Sequence, residues 1–176
     1  MAMKMLDAGG LATMTDGIRT ADESNPKGYY EFEPVKALDK NGGDVAWLGA
    51  ARGKAVKIIS FLLTFLPDTF DYRVIFMDRD IDEVLASQNK MLATRGEHAD
   101  TGDDAHMRQV YEQHLQKVAR FLRNRKCFVT MRLRYKDTVN NPAAEARRIN
   151  EFLGGRLNVE RMAAVADREL YRNRKV

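Results

Sequence analysis

The stretch YRVIFMDRDIDEVLASQNKML, Tyr72 to Leu92, decides the fold. Val74, Ile75, Phe76 and Met77 form a short unbroken apolar run, the pattern of a strand covered on both faces. Asp78-Arg79-Asp80 then brings three charges together where that strand should end. Asp80 and Glu83 have capping-box spacing, so a helix starts near Asp80. Ile81, Val84, Leu85, Met91 and Leu92 share one face of that helix and would pack on the sheet. Ser87 lies beside that face, eight residues after Arg79. In an open α/β sheet, ligands bind beyond the carboxyl ends of the strands. Arg79 stands at such an end, with a guanidinium that suits a phosphate.

The 176 residues suit one domain, 1–176, with chain enough for a real core. With 44% apolar and 31% charged residues the composition is that of a globular protein, not a disordered one. No apolar run approaches the roughly 20 residues needed to span a membrane, and MAMKMLDAGG lacks the apolar stretch of a signal peptide. Cys127 has no second cysteine to pair with, which fits a reducing, cytoplasmic setting, and its apolar surroundings read as an inert core thiol. The net charge of +4 is compatible with an anionic ligand. Much of the excess lies in RFLRNRK (120–126) and the final RNRKV. Neither a nucleic-acid motif nor interleaved aromatics accompanies it, so solvated helix faces and a basic tail are expected, with no nucleic-acid partner.

Met1 to Ala8 reads as the end of a helix stopped by Gly9-Gly10. Asn25-Pro26-Lys27-Gly28 marks a turn, and Gly42-Gly43 another. Tyr29, Tyr30 and Phe32 then cluster with Glu31 and Glu33, and Pro34 can open a short helix through Leu38. Read from the residues alone, Glu31 and Glu33 are surface acids beside packed tyrosines. Trp47 sits in a short helix as a packing residue. In KAVKIISFLLTFLP, Ala55 to Ile59 reads as a strand and Phe61 to Leu66 as a short helix or turn ended by Pro67. Lys57, between Val56 and Ile58, is hard to bury without a partner. It is either a lysine on an open strand face or one that meets an anion.

Lys90 to Asp103 has the composition of a mobile polar loop. Asp104 to Asn124 is an amphipathic helix with the stripe Met107, Val110, Tyr111, Leu115, Val118, Phe121 and Leu122. His98, His106 and His114, eight residues apart, are too far apart for one metal and read as surface or edge residues. Cys127 to Leu133 is a second strand, with Val129, Met131 and Leu133 alternating. Asn141-Pro142 is a cap and first-turn pair for a helix with core residues Ala146, Ile149, Phe152 and Leu153, ended by Gly154-Gly155. The last part is a short helix and a basic end with Arg172, Arg174 and Lys175, read as frayed, or else as part of a phosphate site.

Several of these segments, in order, resemble the sulfotransferases that use 3′-phosphoadenosine 5′-phosphosulfate (PAPS). An Arg at a strand end with a Ser eight positions on resembles their 3′-phosphate-binding element, here Arg79 and Ser87. NPKGYYE and the short helix after it resemble a segment near the acceptor pocket in bacterial sulfotransferase-like proteins. A Val-Lys strand end followed by an apolar run to Leu-Pro resembles the catalytic strand of the cytosolic enzymes, whose lysine meets the transferring sulfuryl group. Lys57 matches that lysine, while Ile59 stands where those enzymes have a histidine base. A Tyr, an Asp two residues on, Asn-Pro and a helix ending Phe-Leu-Gly resembles the element that flanks the adenine, with Tyr135 as the contact.

The resemblance implies an α/β fold, a parallel sheet flanked by helices with P-loop nucleoside-triphosphatase-like topology. It implies sulfuryl transfer from PAPS to a hydroxyl or amine, with Lys57 stabilising charge, Glu31 as base in place of the histidine, Arg79 and Ser87 on the 3′-phosphate and Tyr135 on the adenine. No metal is required. The family's first strand and its Gly-, Ser- and Thr-containing loop for the 5′-phosphosulfate have no counterpart in the sequence, so an N-terminally truncated version is expected. Two readings stay open: a sulfotransferase, or a non-catalytic nucleotide-binding remnant that keeps the 3′-phosphate site. A small kinase on a related fold is weaker, because a Walker-type lysine and a Mg²⁺-binding Ser/Thr are missing.

Overall fold

Two seven-residue strands carry the structure, a computed structural model that describes residues 1–18, 28–40, 45–94 and 104–166. The side chains of 90–94 and 104 are also outside that description. So are the Asn25-Pro26-Lys27 turn, Gly42-Gly43, the loop 95–103 with His98, and the basic end with Arg172, Arg174 and Lys175. Strand β1 (Tyr72–Asp78) pairs in parallel with β2 (Phe128–Arg134), in register from Tyr72 opposite Phe128 to Asp78 opposite Arg134. Parallel neighbours need a long crossover. It contains α3 (Ile81–Thr94) and α4 (Asp104–Asn124).

Side chains alternate across a strand, and here each face meets a different cluster. Tyr72, Val74, Phe76 and Phe128 pack with Val35, Leu38, Leu48, Leu62, Val118 and Leu122. These come from a 3₁₀ turn at Glu33–Ala37, α2 (Trp47–Ala50), a second 3₁₀ turn at Ser60–Phe65, and α4. Ile75, Met77, Met131 and Leu133 pack on the other side with Met5, Ala146, Ile149 and Met162. Those belong to α1 (Ala2–Ala8), α6 (Pro142–Phe152) and α7 (Val159–Ala164); α5 (Tyr135–Asn140) links β2 to α6. The architecture is therefore α/β, with the parallel pair covered on both faces as its apolar run requires.

Local chemistry explains the helix ends. The side chain of Asn141 accepts from the Ala144 N–H before Pro142 opens α6, and Asn158 accepts from Arg161 N–H at the start of α7. Asp80 precedes α3 and takes the Asp82 N–H at 2.9 Å. At Gly9 an added Cβ would lie 2.7 Å from Met162 Cγ, so this glycine lets α1 and α7 approach.

Four sequence expectations are corrected. Ala55 to Ile59 is extended chain rather than a strand: only Ala55 bridges, to Thr13. The chain after Lys90 is not yet loop, because α3 runs on to Thr94. Val129 is 53% exposed although it shares a face with Met131 and Leu133. It pairs with Arg73, whose guanidinium caps the Phe152 carbonyl at 2.7 Å, so the cover given by α6 stops there. The α4 stripe is buried at Val118 and Leu122 but exposed at Met107 and Val110, because the Ser60–Phe65 turn covers only its later part. Among the described residues no helix is long and apolar enough to cross a membrane.

Leu133→Ala should cost about 2–5 kcal/mol in urea unfolding, as a truncation in a fully buried site. Val129→Ala, on the same strand, should cost only about 0.5 kcal/mol.

Candidate functional site

The parallel register builds the centre of the site. Asp78 and Arg134 face each other as the last paired residues, so Arg79 and Tyr135 leave the two strands side by side. The Arg79 guanidinium carbon stands 5.0 Å from the centre of the Tyr135 ring, a cation–π distance. Both side chains lie beyond the carboxyl ends of parallel strands, where an α/β sheet offers its ligand site.

Arg79 Nε also meets Glu83 Oε2 at 3.4 Å, one helical turn on. Ser87 follows Glu83 by about one turn of α3, while Arg79 lies two residues before the helix begins. Ser87 is half-buried, and among the described residues its side chain makes no hydrogen bond. Arg132 forks onto Asp78 through Nε at 2.6 Å and Nη2 at 2.7 Å. That pair holds the Arg132 guanidinium's pKa above its ordinary value and gives Asp78 a cation of its own.

Lys57 and Glu31 form the second group. Val56 and Ile58 point into the first cluster, so the alternating chain turns Lys57 outward, where its side chain is 41% exposed. Its partner is a carboxylate: Lys57 Nζ lies 3.4 Å from Glu31 Oε1, and Lys36 Nζ lies 3.8 Å from Glu31 Oε2. The Tyr29 ring lies 5.8 Å from the Lys57 ammonium. Burial, then the charges of Lys57 and Lys4, holds the Met1 amino group below its ordinary pKa.

The segment carrying Glu31 is tied down at both sides. Tyr30 donates to Asp7 at 2.9 Å, and burial, then that bond and charge, pushes the phenol up to about 12. Asp16 accepts the Glu33 N–H at 2.5 Å and the Ile18 N–H at 3.0 Å, while the Asp16 N–H reaches the Glu31 carbonyl. The backbone bonds from Glu33, then Ile18, pull the Asp16 carboxyl below its usual range.

The structure pairs Arg79 with Tyr135 and Lys57 with Glu31, and sets Ser87 on α3, eight residues after Arg79. A cleft of about 470 Å³ between α3 and α4 is lined by Asp82, Leu85, Ala86, Asn89, Ala105 and Arg108 and touches none of the five. Strand-end placement decides between the two locations. Among the described residues no group of three or more His, Cys, Asp or Glu could hold a metal. Sequence reading missed Glu83 as the neighbour of Arg79, though the four-residue spacing was visible. It missed Arg132 because only the strand register aims it at Asp78.

An arginine stacked on a tyrosine stands at the carboxyl ends of the parallel strands of this α/β protein. The chain belongs to the sulfotransferase family, whose model matches residues 30–158. That interval includes all five candidate residues. Neither a curated protein nor a solved structure gives a significant match.

Asp16→Asn should lower the melting temperature at pH 7. Because the folded pKa lies below the ordinary 3.8, this stabilisation is present above about pH 3.8 and is lost as pH falls through the folded value. Melting curves of both proteins from pH 7 to pH 2.5 should therefore converge at the acid end.

Proposed function

We propose that this sulfotransferase-family chain moves a sulfuryl group from PAPS to a hydroxyl or amine, on a P-loop nucleoside-triphosphatase-like topology. The observation that carries the reading is the Arg79–Tyr135 pair at the strand ends, 5.0 Å apart. A guanidinium supplies a fork for the 3′-phosphate, and the tyrosine beside it offers a ring edge and a hydroxyl to the adenine. Ser87, on α3 eight residues after Arg79, adds a hydroxyl donor to the same phosphate.

Lys57 and Glu31 supply the chemistry. In the transfer, the acceptor oxygen or nitrogen bonds to sulfur as the bond from sulfur to the phosphate oxygen breaks, and the electron pair leaves with that oxygen. Lys57 neutralises the charge growing there or on the sulfuryl oxygens. Glu31 takes the acceptor's proton. The 3.4 Å contact between Lys57 and Glu31 supports this pairing of roles, with Lys57 moving from the carboxylate toward the sulfuryl group as charge grows there. Such a transfer depends chiefly on positioning and charge stabilisation, by analogy with phosphoryl transfer. It requires no metal.

Adenosine 3′,5′-bisphosphate at about 100 times its Kd should raise the melting temperature by about 5–10 °C. Arg79→Ala should abolish the rise; an unchanged midpoint in the parent protein removes the assignment of the site. Transfer of labelled sulfate from PAPS to a pool of hydroxyl and amine acceptors should fall about 10²–10³-fold in Lys57→Ala. Nucleotide binding without any transfer would favour the non-catalytic reading.

A further inference from the structure

We propose that Glu83 is a positioning residue that sets the Arg79 guanidinium for a 3′-phosphate; this rests on the reading of Arg79 given above. Glu83 is only 7% exposed, in the first turn of α3. A carboxylate that buried is costly unless a cation and hydrogen bonds accompany it. Its cation is Arg79, 3.4 Å away through Nε, whose own side chain is 27% exposed.

The contact atom matters. An arginine can fork onto a phosphate through Nε and one Nη, or through both Nη nitrogens. Glu83 occupies Nε, and the Tyr135 ring supports the guanidinium at 5.0 Å. The hydrogen bond to Glu83 uses Nε and neither Nη, so the fork through the two Nη nitrogens is the one left to a ligand. Holding a long, rotamer-rich side chain in place before binding removes part of the ordering cost at the moment of binding.

Glu83 also lies between Arg79 and Ser87 in the chain, four residues from each. Its negative charge therefore sits close to where the phosphate would be held by those two residues. Positioning and repulsion oppose each other, and this makes the two isosteric replacements informative. Glu83→Gln keeps an acceptor for Nε–H and removes the charge. Glu83→Met keeps the volume and removes the acceptor.

The test is the ratio of Kd for adenosine 5′-phosphate to Kd for adenosine 3′,5′-bisphosphate, by calorimetry on the full chain. The parent protein should discriminate and Arg79→Ala should not. Glu83→Met should lower the ratio roughly tenfold, as removal of a group that orients a binding side chain commonly does, with the 5′-phosphate affinity unchanged. Glu83→Gln should keep or raise the ratio. A Glu83→Met protein that discriminates like the parent, or weakens both ligands in proportion, overturns the proposal and leaves Arg79 in its place. A parent protein that does not discriminate overturns the 3′-phosphate reading itself. Should Glu83→Met fail to fold, the nucleotide-free parent decides: the Arg79 Nε–H resonance should be protected from exchange, and rapid exchange overturns the proposal.

Discussion

The parallel pairing of β1 with β2 is the constraint on which the rest depends. A parallel ladder brings both strands to the same end of the sheet, so their exit residues become neighbours although 56 positions separate Arg79 from Tyr135 in the chain. A slip by one residue would turn each apolar set to the opposite face and separate the guanidinium from the ring. Register is secured because both faces are covered: Tyr72, Val74 and Phe76 are matched to one cluster, Ile75 and Met77 to the other. Core packing and site geometry are thus one problem with one solution.

Charge is handled by local pairing. At the strand exit Asp78 is taken by Arg132 and Arg79 is shared between Glu83 and Tyr135; elsewhere Lys57 is met by Glu31. Each of these groups has a fixed neighbour before any ligand arrives. Such pairs contribute little to stability where they are exposed, as at Arg132, so their main effect there is on orientation. An edge ordered in this way loses less freedom on binding than one of loose side chains.

Much of this was legible in the amino-acid sequence, for physical reasons. The run Val74 to Met77 and the caps at Asp80 and Asn141-Pro142 are local signals that place a strand and two helix starts, while the α/β architecture came from the resemblance. The bounds of α4, Asp104 to Asn124, could be read from its period alone. What failed was non-local. Ala55 to Ile59 alternates like a strand, but bridges only at Ala55. Val129 and Met107 have the apolar character of core residues, yet neighbouring elements end before covering them. The same limit applies to the site. Lys57, Glu31 and Arg79 could be named from pattern and resemblance, whereas the pairing of Lys57 with Glu31 required the folded arrangement. For Glu31 that neighbour lies 26 residues away, beyond the reach of any local rule.

Gly9 has a consequence for descent. Met162 is fully buried against it, and even a single methyl group at this position would collide with that thioether chain and force the N-terminal helix outward. Substitution here should be purged unless the methionine shrinks at the same time. Among divergent relatives that retain this helix contact, the two positions should therefore change together or not at all.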